Sequence, residues 1–208
     1  MKILFTGGGT GGHFYPIIAI AQVIRKVAEE ERLTVPEFYF MADSPYNPRV
    51  LFENNITFVG VSAGKLRRYF SFLNFTDLFK TAWGIIQALW KVYAIYPDVI
   101  FSKGAYASFP CLFAARILNI PVIIHESDSH PGRVNAWSAK FARRIAISYP
   151  DAAKYFPADK VAVTGNPLRH EVMNPTPRGA YEFLHMDRTL PVIMILGGSQ
   201  GASKINDT

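Results

Sequence analysis

Met1-Lys2-Ile3-Leu4-Phe5-Thr6-Gly7-Gly8-Gly9-Thr10-Gly11-Gly12-His13 opens the chain. A short apolar run stops at five glycines in six positions, and apolar residues at helical spacing follow: Ile17, Ile20, Ala21, Ile24, Val27 and Ala28. A buried strand turning tightly into a helix, with no side chains in the turn, presents backbone N–H groups beside the positive end of the helix dipole. That arrangement binds phosphate or pyrophosphate. The loop alone leaves a dinucleotide, a nucleotide sugar or a pyrophosphate-bearing molecule open. Gly7, Gly9 and Gly12 satisfy G-x-G-x-x-G, and Asp43 follows the next apolar run where a ribose-binding acid would sit. A P-loop is excluded, because His13 stands where Lys is required and neither Ser nor Thr follows it. A neutral His13 at the helix mouth can act as a base, its pKa lowered by the dipole; alternatively it caps the helix or packs under the loop.

Working outward, strands and helices alternate, which predicts a doubly wound parallel α/β sheet. Strands are expected at Ile3–Thr6, Phe38–Met41, Thr57–Val61, Val99–Ser102, Val122–His125, Ile145–Ser148 and Lys160–Thr164. Helices are expected after His13, with Pro16 in the first turn, and over Asp77–Tyr96, Ser108–Leu118 and Arg133–Phe141. Asn174-Pro-Thr-Pro-Arg-Gly179 is a proline-rich connector. After it the opening pattern restarts, with strand Val192–Leu196, glycine turn Gly197–Gly201 and a helix from Ala202 to Asp207. The expected organisation is a Rossmann-like domain over 1–173, a linker over 174–189 and the start of a second domain over 190–208. A Rossmann-like domain needs on the order of 100 further residues, so the chain reads as cut inside the second.

Half of the 208 residues are hydrophobic and 14% aromatic, enough for a sizeable core. Lys plus Arg exceed Asp plus Glu by 22 to 16, which suits an anionic partner. No basic arm or recognition motif points to nucleic acid. The single cysteine, Cys111, lies in an apolar stretch and reads as a buried small hydrophobe. No signal peptide is visible and no run of ~18 apolar residues exists, so the protein is expected to be soluble or to lie on a membrane surface.

Four further segments fall just after strand ends, where α/β proteins keep their chemistry: Ser102–Ser108, His125–Asp128, Gly165–Arg169 and Gly197–Ala202. With Gly7–His13 they closely resemble the MurG family, the bacterial UDP-N-acetylglucosamine:N-acetylmuramyl-(pentapeptide)-pyrophosphoryl-undecaprenol N-acetylglucosaminyltransferases of peptidoglycan synthesis. The resemblance spans the whole chain as five ordered motifs. It implies two Rossmann-like domains of glycosyltransferase-B type, the second truncated here, with lipid acceptor on the first, UDP-GlcNAc mostly on the second, and no cofactor. It implies the cytoplasmic face of the bacterial inner membrane, held peripherally, and a role in cell-wall biogenesis, cell shape and division. Carried over, Thr10, Gly11, Gly12, Asp128, Arg169, Ser199 and Gln200 contact the donor, with Asn206 in the same motif. Asp128 stands where some members have Asn. Gly104, Tyr106, Ser108 and Asn135 serve the acceptor and its pyrophosphate, although Ala105 stands where the family pattern has glycine. His13 is the implied base.

The residue types suit the chemistry. Transfer to a sugar hydroxyl needs a base, for which His13 and Glu126 are candidates. Departing UDP needs its charge stabilised, and the Gly197–Gly201 turn with Arg169 can do so without a metal. No Asp-x-Asp pair or His/Cys cluster offers a metal site. One direct displacement inverts the anomeric carbon. His125-Glu126 can equally just satisfy backbone groups at a strand end, and His130, His170 and His185 read as solvated. From Lys65 to Trp83 basic residues interleave with aromatics, as on a surface settling into an anionic interface: Arg67, Arg68, Phe72, Phe75, Phe79 and Trp83 are the expected membrane contacts. An ordinary core helix with a cationic rim is the competing reading. Two other functions stay open: a nicotinamide-dependent oxidoreductase, from the glycine spacing and Asp43, and a non-catalytic membrane-binding module if 208 residues are the natural product. The chain on its own is expected to be inactive in transfer.

Overall fold

The structure, a computed structural model, describes residues 1–65, 73–174, 179–187, 189–195 and 197, without the side chains of 73 and 74. Seven parallel strands form one sheet: β1 (Lys2–Thr6), β2 (Glu37–Ala42), β3 (Ile56–Gly60), β4 (Val99–Ser102), β5 (Val122–Glu126), β6 (Arg144–Ile147) and β7 (Val161–Val163). Their spatial order is β3-β2-β1-β4-β5-β6-β7. The central strands read as nearly continuous apolar runs because both faces are covered. Alternation along the strands assigns side chains to faces. Ile3, Phe5, Phe38 and Phe40 pack with Phe14, Ile17, Ile18 and Ala21 of α1 (Gly11–Glu30). Leu4, Met41, Ile100 and Ile124 share the opposite core with Ala88 and Val92 of α3 (Leu73–Ile95) and Leu112 and Ala115 of α4 (Phe109–Ile117).

The seven strand expectations before the proline-rich connector hold to within one or two residues at each end, the usual scatter of a boundary. A short helix, α2 (Pro48–Glu53), was not expected from periodicity; Asn47 caps it by accepting from Val50 N at 3.2 Å. α5 (Arg133–Ser138) is shorter than the Arg133–Phe141 reading. The first helix begins earlier than expected, at Gly11, so the last two loop glycines are its first residues and Pro16 lies in its second turn. Without an N–H, Pro16 leaves the Gly12 carbonyl without its i+4 donor. Asp77 is likewise not the start of α3 but four residues inside it, and buried.

After β7, α6 (His170–Met173) returns to α1: the Gln22 carboxamide accepts from His170 N at 3.3 Å and donates to Glu171 at 3.4 Å. The expected linker contains a short helix, α7 (Ala180–Phe183). Of the expected strand Val192–Leu196, residues 192–195 form none and are exposed, and Leu196 lies outside the described residues. A strand is defined by its neighbour, and nothing in the first sheet pairs with this segment.

The order reverses between β1 and β4, since the chain leaves β1 toward β2 and β3 and returns on the other side. At such a switch point the loops after the two strands diverge and leave a crevice at their carboxyl ends. The loops in question are Gly7–Thr10 and Lys103–Ala105.

Candidate functional site

A cleft of about 520 Å³ opens at this crevice. His13, Tyr106, Glu126, Asp128 and Asn135, drawn from four separate stretches, all line it, whereas Thr10, Gly11, Gly12, Gly104, Ser108 and Arg169 do not. Thr81, Lys103 and Arg133 complete its polar side; Ala105, Phe109, Val134 and Trp137 form an apolar wall.

His13 is the third residue of α1. Its Nδ1 lies 3.0 Å from the hydroxyl of Thr10, the residue preceding the helix, which makes no side-chain cap to the backbone. With Nδ1–H donating to that hydroxyl, Nε2 keeps its lone pair. Burial first, and then the nearby Lys103 cation, lower the His13 pKa from 6.5, against the opposing pull of Asp128 and Glu126. The imidazole is therefore neutral at pH 7, as a base must be.

Glu126, at the end of β5, is 5% exposed, and its carboxylate is fully engaged. Oε1 accepts from Asp128 N at 3.1 Å; Oε2 accepts from Gly132 N and the Asn135 amide, both at 3.0 Å. Asn135 also donates to the His125 carbonyl at 3.1 Å. The pair thus shapes the 127–132 loop and holds Asp128, itself exposed, at the cleft. Asn135 Oδ1 has no hydrogen-bond partner among the described residues and packs against Gly104, where an added Cβ would approach it to 2.7 Å.

The loop after β4 turns through Gly104, φ +79°, and Ala105, φ +67° and ψ 167°. The second conformation is close to glycine's own territory, and Ala105 occupies it with a Cβ. Ser108 is buried, its hydroxyl donating to the Ala105 carbonyl at 2.8 Å, so it closes the turn rather than facing the cleft. Gly104 N donates to Ser102 Oγ at 3.0 Å. The Tyr106 hydroxyl donates to Asp43 at 2.8 Å; burial and this bond push its pKa up to about 12. Asp43, exposed beyond β2, thereby ties the second glycine loop to the neighbouring strand end.

The Arg169 guanidinium stacks over the Tyr15 ring at 4.2 Å, held against α1 but not lining the cleft. Gly12 is exposed at the helix start, and Gly11 is buried, with the Tyr46 hydroxyl 2.9 Å from where its Cβ would stand. Ser199, Gln200, Arg67, Arg68 and Phe72 lie outside the described residues. Cys111 is fully buried and its thiol is pushed up to about 12, so it is a core residue as expected. No group of three or more His, Cys, Asp or Glu able to hold a metal occurs among the described residues.

Sequence reading missed Lys103. It is 2% exposed and bonds to neighbours on the next strand: Nζ lies 2.7 Å from His125 Nδ1 and hydrogen-bonds to Ser127 Oγ. His125 Nε2 is 2.9 Å from the Gly165 carbonyl, which only accepts. Nε2 therefore carries the proton and Nδ1 accepts from Lys103. Burial lowers the Lys103 pKa to about 8 despite Glu126 and Asp128. The available signal was position alone: an ionisable residue directly after a strand that leads into a glycine turn.

On the outer side of α3, Phe75, Leu78, Phe79, Trp83, Ile86, Trp90 and Tyr93 are all exposed, Trp90 at 73%. They recur every three or four residues and form one stripe along the helix. No helix among the described residues is long and apolar enough to cross a membrane.

The family description "Glycosyltransferase family 28 N-terminal domain" matches residues 3–147. A UDP-N-acetylglucosamine--N-acetylmuramyl-(pentapeptide) pyrophosphoryl-undecaprenol N-acetylglucosamine transferase of Treponema denticola is 40% identical over 99% of this chain and 54% of its own length. One from Bacillus thuringiensis is 38% identical over 100% of this chain and 57% of its own length. Acinetobacter baumannii MurG superposes with a TM-score of 0.60 at 26% identity, over 84% of this chain and 48% of that one. A glycosyltransferase from Rickettsia africae, 11% identical with a TM-score of 0.61, shares the fold. The chain spans about half the length of the curated relatives it matches. With that match covering the strands that build the cleft, the chain belongs to glycosyltransferase family 28, whose N-terminal domain it carries.

Proposed function

We propose that this chain forms the acceptor-binding half of an inverting N-acetylglucosaminyltransferase. The enzyme moves GlcNAc from UDP-GlcNAc to undecaprenyl-pyrophosphoryl-N-acetylmuramyl-pentapeptide, converting lipid I to lipid II. The observation that carries the reading is His13: a neutral imidazole at the positive end of α1, facing a cleft walled by the second glycine loop. His13 Nε2 takes the proton of the acceptor hydroxyl as that oxygen attacks the anomeric carbon and UDP leaves from the opposite face. Glu126 is the weaker candidate for base, because its carboxylate oxygens are already occupied by three N–H donors that hold it toward the 127–132 loop. Gly104 and Tyr106 belong to the acceptor side, while Thr10, Asp128, Arg169 and the 197–201 turn meet the donor.

A lipid-linked acceptor requires access to a membrane. The exposed stripe on α3, beside the cleft-lining Thr81, supplies an apolar surface, and a net charge of +6 favours anionic headgroups. The proposed location is peripheral, on the cytoplasmic face of the inner membrane. The family match and the tie of Asp43 to Tyr106 leave the oxidoreductase reading without support.

The test is transfer by the protein at the full length of its relatives, with UDP-GlcNAc and the lipid-linked acceptor. A β-linked GlcNAc product is expected, with a ~10²–10⁴-fold loss of kcat in His13→Ala and little change in donor binding. Near-normal turnover in that variant would pass the base role to Glu126 or to water.

A further inference from the structure

The transfer chemistry assigned above gives no direct contact to Lys103, which is the one buried lysine lining the cleft among the described residues. Its stem is built in: the backbone N–H donates to the Thr6 carbonyl at 2.9 Å, continuing the ladder between β1 and β4. Gly7 leaves the stem room, since a Cβ there would stand 3.1 Å from Lys103 Cβ. The ammonium has three N–H donors and no acceptor. Two go to neutral partners, His125 Nδ1 and Ser127 Oγ, which leaves one unassigned in a residue that lines the cleft. No ion pair within 4 Å among the described residues includes Lys103. The buried carboxylate nearby, Glu126, already accepts from Asp128 N, Gly132 N and Asn135, and Asp128 is exposed. A buried cation without a close counter-charge is unfavourable in the empty protein and becomes favourable when a ligand brings an anion.

We propose that Lys103 is a ligand-binding residue whose remaining N–H and positive charge hold a phosphate oxygen of a pyrophosphate-bearing ligand in this cleft. The proposal rests on the function above only for the identity of that ligand, the acceptor diphosphate. The residue pattern Ser102-Lys103-Gly104 then has a physical logic. The strand end delivers the cation, and the glycine after it lets the chain turn away so that an anion can approach.

The experiment measures binding of inorganic pyrophosphate to the full chain by calorimetry at fixed pH and salt, for wild type, Lys103→Met and Lys103→Gln. Wild type is expected to bind, and both variants to bind about 10- to 100-fold more weakly, the range expected for loss of a hydrogen bond between charged groups. Thermal stability of Lys103→Met should change little, since removal of an uncompensated buried cation offsets the lost hydrogen bonds to His125 and Ser127. A residue with a merely structural role gives the opposite pattern, with lower stability and unaltered binding. A second measurement needs no variant: in the 15N-lysine-labelled wild type, the side-chain resonance titrating near pH 8 should shift on adding pyrophosphate. The groups sharing its surroundings are His13, His125, Glu126 and Asp128. Equal affinity in the variants overturns the proposal, as does a wild type that neither binds nor shows the shift. Those results leave the transfer reaction, followed by its product, standing. Lys103-dependent pyrophosphate binding in an enzyme that forms no product would instead retain this site and reject the assigned reaction.

Discussion

His13 and Ala105 show how a single position can carry chemistry or strain. Because burial and Lys103 hold His13 below its ordinary 6.5, the neutral base persists at pH 7 and is lost only as pH falls below that value. The kcat/KM profile of the full-length enzyme should therefore have an acid limb below pH 6.5 that vanishes in His13→Ala. An acid limb that survives the substitution would belong to another group. Ala105 holds a backbone conformation that costs of order 1–3 kcal/mol for a residue with a Cβ. Ala105→Gly is expected to be net stabilising by about 1 kcal/mol, the strain relieved exceeding the added backbone entropy, and to raise Tm by about 2–4 °C. Gly104→Ala should do the reverse. It adds a Cβ at φ +79° against the Asn135 carboxamide at 2.7 Å, so Tm should fall and the Glu126–Asn135 contact should be disturbed. A calorimetric scan of the two variants side by side checks both signs.

At the scale of an element, α3 serves two surfaces. Ala88 and Val92 enter the core beside α4, whereas Phe75, Phe79 and Trp83 stand exposed on the other side, Phe75 and Phe79 in edge contact at 5.0 Å. Polar replacement of the exposed set should barely change folding, within about 0.5 kcal/mol per position, because little packing is lost. The same replacement should weaken binding to anionic vesicles by about 10- to 100-fold per aromatic, from the ~1.5–3 kcal/mol of burying such a side chain. Sedimentation of Phe79→Ser and Trp83→Ser with vesicles, read beside their melting curves, separates the two effects. A loss of stability with unaltered vesicle binding would return this helix to the core.

For the whole molecule, buried neutral histidines couple folding to pH. The pKa values of His13 and His125 are both lowered in the fold, by burial and by Lys103. Below pH 6.5 the unfolded chain takes up protons that the folded chain resists, so stability is complete above that value and declines as pH falls through it. The urea midpoint should be lower at pH 5.5 than at 7.5, and His13→Gln should reduce the difference. A midpoint that rises on acidification would contradict the assignment of both rings as neutral.

Local residue order was enough to read the strand–glycine–helix opening, the alternation of strands and helices and the parallel sheet. Each depends on periodicity and on residues within a few positions of one another. The same holds for the choice of His13, Tyr106, Glu126 and Asp128 as candidate residues, all four of which line the cleft. Their meeting was decided by strand order. Only the reversal between β1 and β4 sets the Gly7 loop beside Lys103, and only the β4–β5 pairing places Lys103 against His125 and Ser127. Tertiary contacts likewise gave Glu126 three donors, engaged Ser108 within its own turn and turned the aromatics of α3 outward. Secondary structure follows from short-range sterics and periodicity. The partners and burial of a side chain are set by residues tens of positions away, and one-dimensional order does not display them.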